Sequence, residues 1–142
     1  MTDVLASAAQ SVLSAQSVAS SGPAALKRLD KTTACLPIVY GSVAYYLGKK
    51  ADEFQTHLWT LHLRGPNNED LSAAISKVVF QLHASFAQPT RELTAPPYEV
   101  TERGWGEFEA QIRIVWKDPL EKATVVGLTI YWNARWWLGG VL

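Results

Sequence analysis

The chain has a single cysteine, Cys35, which excludes an intramolecular disulfide and a cysteine-based zinc site. A reducing compartment is compatible with that usage. Charge of one sign is lacking too: Lys and Arg total 13, Asp and Glu total 13, and the basic residues are spread along the chain. Bulk electrostatic binding to nucleic acid needs a basic stripe, so no direct sequence-specific nucleic-acid contact is expected. Long hydrophobic runs are missing. A spanning helix needs about twenty apolar residues, and the apolar C-terminal stretch is interrupted by Asn133, Arg135, Gly139 and Gly140. A membrane is therefore not an expected partner. His57, His62 and His83 stand on separate segments without metal-ligand spacing, so they read as structural or pocket-lining residues and no metal or cofactor is expected. No Gly-x-Ser-x-Gly elbow surrounds Ser85 and no orienting acid is identifiable, which argues against a hydrolase built on Ser85 and His83. Glu107 and Glu109 lie on an alternating segment and read as a solvated face rather than a catalytic pair. Gly104-Trp105-Gly106 is too short for a phosphate loop and lacks its lysine. No catalytic residue is assigned, and a binding protein is expected rather than an enzyme.

What is present suits one domain plus a tail, since 142 residues can bury a substantial core. Residues 1–34 read as a flexible leader rich in Ala and Ser, without the positive start and solid apolar stretch of a secretory signal. From Glu107 to Trp116 the pattern has period two, with Phe108, Ala110, Ile112, Ile114 and Trp116 on one face and Glu107, Glu109, Gln111 and Arg113 on the other. Trp59, Leu61 and Leu63 make a second inward face; Val78, Phe80 and Leu82 make a third. Shorter strands are expected around Tyr98 to Thr101 and from Val125 to Trp132, with Ile38 to Leu47 opening the sheet. Turn chemistry separates them at Gly65-Pro66-Asn67-Asn68, Gln88-Pro89 and Ala95-Pro96-Pro97. The pattern predicts an all-β, two-sheet antiparallel sandwich.

Two short segments carry the recognition chemistry, Leu82-His83-Ala84-Ser85-Phe86 and Glu102-Arg103-Gly104-Trp105-Gly106-Glu107-Phe108. Each sets an aromatic ring beside small residues, and the first adds a hydroxyl and an imidazole. An aromatic slot with hydrogen-bond groups at its mouth suits a small planar ligand such as an amide. Alternation places Val79, Gln81, His83 and Ser85 on one face of a strand ending near Phe86. If the two loops meet at one end of the sandwich, Phe86 and Trp105 become walls of that slot. On residue type alone, both read as ordinary core aromatics.

Several further words fall in order: Thr56-His57-Leu58-Trp59-Thr60, Leu63-Arg64-Gly65-Pro66-Asn67-Asn68-Glu69-Asp70, Lys77-Val78-Val79-Phe80-Gln81-Leu82-His83 and Ala95-Pro96-Pro97-Tyr98-Glu99-Val100-Thr101-Glu102. Together with Gly104-Trp105-Gly106-Glu107-Phe108 they closely resemble the YEATS domain, the family of histone acyl-lysine readers in chromatin complexes. The resemblance covers roughly Leu36 to Glu121. Ile38-Val39-Tyr40-Gly41 and Trp105 resemble the branch shared by histone acetyltransferase and histone-variant exchange complexes. It implies an immunoglobulin-like sandwich. It also implies an acyl-lysine pocket of His83, Ser85 and Phe86 on the first loop, with Gly104, Trp105, Gly106 and Phe108 on the second. Ser85 Oγ would accept the amide N–H and the Trp105 backbone N–H would donate to the amide carbonyl, in a slot open at its far end to groups such as crotonyl. One position departs: Gln55 stands where certain members close the aromatic wall, with Phe54 one step out of phase.

The expected organisation is a leader over residues 1–34, a YEATS-like sandwich over residues 35–132 and an atypical Trp-rich tail over residues 133–142. The match weakens after Glu121-Lys122, so the family's histone-backbone contacts near its closing strand, and its complex-assembly region, are not carried over. The resemblance implies a nuclear chromatin reader acting in transcription regulation and chromatin remodelling. Its partners would be acylated histone tails and subunits of histone acetyltransferase or remodelling complexes. The alternative is a truncated YEATS-like interaction module without acyl-lysine binding.

Overall fold

The computed structural model describes residues 25–131 and 137–141. The alternating segments form strands, in chain order β1 (Val39–Tyr46), β2 (His57–Arg64), β3 (Ile75–Gln81), β4 (Thr90–Leu93), β5 (Tyr98–Gly104), β6 (Phe108–Trp116), β7 (Thr124–Ile130) and β8 (Trp137–Val141). Two single 3-10 turns, Gly48–Lys50 and Leu71–Ala73, are the helical elements among the described residues. Asp70 caps the second turn by accepting the Ser72 N–H at 2.9 Å. One four-stranded sheet runs β5-β2-β1-β8 and the other β4-β3-β6-β7, and every pairing is antiparallel.

The inward positions are those the period picks out. Trp59, Leu61 and Leu63 from β2 meet Val78 and Phe80 from β3, and Ala110, Ile112 and Ile114 from β6. Leu61, Val78, Phe80, Ile112 and Ile114 are fully excluded from solvent. Burying such side chains is the main favourable term in folding, at about 1.5–3 kcal/mol each. Phe108 and Trp116, at the two ends of β6, are only half-buried. The architecture is the immunoglobulin-like β-sandwich.

Three departures from the sequence pattern bear on function. First, β3 ends at Gln81, so His83 and Ser85 lie in a loop and not on a strand. Pro89 ends the ladder on the facing side: the Leu82 N–H donates to its carbonyl at 2.7 Å, and Gln88 turns left-handed at φ 53°. Beyond that point His83 takes the Ser85 N–H itself, a local bond that competes with strand pairing. Second, β4 escaped the period because it is a four-residue edge strand with no buried position. Third, Trp137–Val141 pairs along β1 as the fourth strand of its sheet. Residues 1–24, most of the expected leader, lie outside the described residues, as do residues 132–136 and 142. Within the remainder of that leader, residues 25–34 are exposed, and Arg28 forms an ion pair with Glu121.

Candidate functional site at the loop end of the sandwich

The loop after β3, the exit of β5 and the start of β6 converge at one end of the molecule. Trp59 is the post around which they gather. Its ring meets Phe86 edge-on, with centroids 5.3 Å apart and planes at 84°, and Phe108 at 5.0 Å and 64°. Phe86 and Phe108 close the triangle at 5.1 Å and 52°. Edge-to-face geometry of this sort is the favoured arrangement of aromatic quadrupoles. Trp59 is buried, whereas Phe86 and Phe108 are half-buried, so the cluster grades from core to surface. The buried Trp59 Nε1 has no hydrogen-bond partner among the described residues.

Gly104 fits against this post because it has no side chain. A Cβ there would stand 3.2 Å from Trp59 Nε1 and 3.6 Å from Phe86 Cζ. Gly106, by contrast, opens onto free space. Between them Trp105 sits on a bend with its indole 59% exposed, an unusual position for so large an apolar surface. It lines a narrow cleft with Ala44, His57, Trp59, Gly104, Gly106, Ile130 and Tyr131. Tyr46, His57 and Gly104 lie side by side across three strands at this rim. The Tyr46 and His57 rings are 5.3 Å apart.

His83 and Ser85 are locked together in the exposed loop. The Ser85 backbone N–H donates to His83 Nδ1 at 3.2 Å. That nitrogen therefore carries no proton, and the Ser85 hydroxyl, 2.8 Å away, donates to it as well. Ser85 Oγ keeps its lone pairs for another donor. The Phe86 N–H closes the turn on the His83 carbonyl at 3.1 Å.

Of the seven residues singled out in the sequence, Phe86, Gly104 and Phe108 come together around Trp59, and His83 pairs with Ser85. Trp105 and Gly106 form the adjoining rim. No ring contact joins Phe86 to Trp105 among the described residues; Gly104 stands against the Phe86 ring instead. Sequence reasoning left out Trp59 and His57. Extending the inward alternation of Trp59, Leu61 and Leu63 back by two residues puts His57 on the same face, which was the available signal. Gln55 and Phe54 are both exposed.

A broader groove of about 770 Å³ lies elsewhere, bordered by Tyr45, Thr60, His62, Arg64, Pro97 and Glu99. It mixes charges of both signs and includes none of the seven residues, so the loop end remains the site with the better-matched chemistry.

Comparison with known proteins agrees with this architecture. The YEATS family matches residues 54–132. "Transcription initiation factor TFIID subunit 14b" of Arabidopsis thaliana is 57% identical over 83 residues, covering 58% of this chain and 31% of its own length. "Protein AF-9 homolog" of Saccharomyces cerevisiae is 41% identical over 117 residues, covering 80% of this chain and 50% of its own length. The chain thus spans between about a third and a half of the length of these curated relatives. Among solved structures, the Yaf9 YEATS domain bound to H3K27ac superposes with a TM-score of 0.67 at 39% identity, over 74% of this chain and 77% of that one. A second Yaf9 YEATS structure gives 0.70 at 35% identity, over 82% and 89%. With the sandwich, the ordered sequence words and these matches in agreement, the chain belongs to the YEATS family.

Proposed function

We propose that this chain binds acylated lysine on histone tails, in the nucleus, as a non-catalytic module of chromatin and transcription complexes. The observation that carries the reading is the exposed Ser85 hydroxyl, bonded to His83 with its lone pairs uncommitted, one residue from Phe86 at the end that also presents Trp105. A lysine ammonium, with three N–H donors, could also donate to this oxygen, but it is strongly hydrated and costly to desolvate against apolar rings. Acylation replaces the charge with a flat amide whose N–H Ser85 Oγ accepts and whose carbonyl the Trp105 backbone N–H satisfies. Phe86, against Gly104, and the exposed Trp105 supply apolar surface, and Phe108 backs Phe86. Solved Yaf9 YEATS domains bound to H3K27ac and recognising an H3K122suc peptide make histone H3 the first partner to test.

Binding rather than hydrolysis is the better reading of the Ser85–His83 pair. Both hydrogen bonds of the His83 ring fall on Nδ1 and come from Ser85, and among the described residues no acid holds the other ring nitrogen as a nucleophile–base pair requires. Aromatic contacts contribute about 0.5–1.5 kcal/mol each beyond area burial, which sets micromolar rather than nanomolar affinity as the expectation.

The test is calorimetric titration of histone H3 peptides carrying acetyl-, crotonyl-, succinyl- or unmodified lysine, repeated with Trp105→Ala. Saturable binding to acylated peptides alone, lost in the variant, is expected. A folded protein that binds none of them would contradict the reading and leave an interaction module without acyl-lysine recognition.

A further inference from the structure

The loop bearing His83, Ser85 and Phe86 has no strand pairing of its own, yet the proposed site needs it fixed relative to β5, which belongs to the other sheet. Two bonds close the loop on itself, Leu82 N–H to the Pro89 carbonyl and Phe86 N–H to the His83 carbonyl. Neither connects it to β5. The side chain of Arg91 does.

Arg91 is opposite Phe80 in the β4–β3 register, and Glu102 is opposite Trp59 in the β5–β2 register. Both partners, Phe80 and Trp59, point into the core. Arg91 and Glu102 therefore start from the inner faces of two edge strands and meet across the open flank of the sandwich. One guanidinium makes three bonds there. Nε donates to the Gln88 carbonyl at 2.6 Å, and a terminal nitrogen donates to the Ala87 carbonyl at 2.9 Å and to Glu102 Oε1 at 2.7 Å. The two side chains are 26% and 32% exposed, drier than ordinary surface pairs, so solvent screens this contact less than usual. Ala87 and Gln88 follow Phe86 directly, and Glu102 lies two residues before Gly104.

We propose that Arg91 is the positioning residue of the site, a clamp that holds the His83–Phe86 loop on β5 and so sets Phe86 against Gly104, the residue next to Trp105. It touches no ligand. It acts by removing loop freedom before the peptide arrives, which otherwise subtracts from affinity. A planar fork is needed because three acceptors lie in different directions, and the point charge of lysine cannot serve them together. The expected effect on affinity rests on the acyl-lysine reading above; the clamp itself does not.

The experiment is hydrogen exchange of the Leu82, Ser85 and Phe86 amides in the free protein, alongside peptide titration, for wild type, Arg91→Gln, Arg91→Lys, Glu102→Gln and Glu92→Gln. Exchange of the three amides should quicken roughly tenfold in Arg91→Gln. Peptide affinity should fall about tenfold with it, as expected for loss of charge-assisted hydrogen bonds. Arg91→Lys should rescue only part of both. Glu92 sits on the same strand and pairs with Lys77 at 3.0 Å without reaching the loop, so Glu92→Gln should change neither quantity. Wild-type exchange rates in Arg91→Gln would overturn the clamp. If that variant fails to fold, Glu102→Gln, which takes the charge from the arm to β5 and leaves both loop carbonyl bonds in place, decides the matter by the same exchange rates. If exchange quickens while even wild type binds no acylated peptide, the clamp stands and the reader function falls.

Discussion

At the scale of single residues, the site depends on which groups keep a free valence. Ser85 spends its proton on His83 and retains its oxygen lone pairs, so Ser85→Ala removes an acceptor without removing packing. The residue is exposed, and its loss should leave the melting temperature unchanged within a degree or so. Acylated-peptide affinity should drop about tenfold, the worth of one well-placed hydrogen bond in a half-dry site. Equal affinity in wild type and Ser85→Ala would remove Ser85 from the site. The two glycines give a paired prediction. In Gly104→Ala the new methyl stands 3.2 Å from Trp59 Nε1, so the indole must give by a few tenths of an ångström, while Phe86 at 3.6 Å is in ordinary contact; shifting the post in this way should weaken peptide binding several-fold, on the order of 1 kcal/mol. In Gly106→Ala the methyl enters open space, and both stability and binding should hold. The reverse ranking would mean that the close approach at Gly104 is irrelevant to the ligand.

At the scale of elements, the long strands were legible because their chemistry alternates cleanly. β6 shows Ala110, Ile112 and Ile114 buried and Glu109, Gln111 and Arg113 exposed, as its sequence dictates. Ile112 is fully buried between Phe80 on β3 and Val126 on β7. Ile112→Ala should therefore cost about 2–5 kcal/mol in urea unfolding. That is a large share of the roughly 5–15 kcal/mol available to a domain. A loss under 1 kcal/mol would show that the core can collapse around the deletion. β4 was not legible, since Thr90-Arg91-Glu92-Leu93 has too few residues and no buried position to impress a period on. Nor was the His83–Ser85 turn. Alternation put those two side chains together on a strand, but a local imidazole-to-backbone bond brings them together in a loop. Trp59 was legible as a core residue and not as the post of the site, because its packing with Phe86 and Phe108 depends on three distant segments meeting.

At the scale of the whole molecule, neutrality and the placement of buried groups govern the response to pH. Burial holds the His62 imidazole below its ordinary 6.5, Arg64 pushes it the same way, and Glu99 opposes them. The unfolded chain then takes up this proton more readily than the folded one. The stabilising contribution is intact above pH 6.5 and declines as pH falls below that value toward the lower folded pKa. His62→Gln should flatten the melting temperature between about pH 7 and pH 5, where wild type loses stability. The carboxylates act in a separate window. Hydrogen bonds from the backbone and from Asn67 lower Glu69, and those from Ser72 lower Asp70, so their contributions vanish only as pH falls below 4.5 and 3.8. A wild-type curve already flat down to pH 5 would show that His62 is not burdened by its surroundings. These titrating groups border or lie near the broad groove, away from the loop end, so the stability profile and peptide binding should respond to different substitutions.

The most direct test of the central claim is a two-dimensional amide NMR titration with an acetyl-lysine histone H3 peptide, which reports where the ligand sits as well as whether it binds. The largest shifts are expected on Ser85, Phe86, Gly104 and Trp105, and the unmodified peptide should leave them still. Shifts concentrated instead around His62 and Glu99, or equal responses to both peptides, would contradict an acyl-lysine site at the loop end.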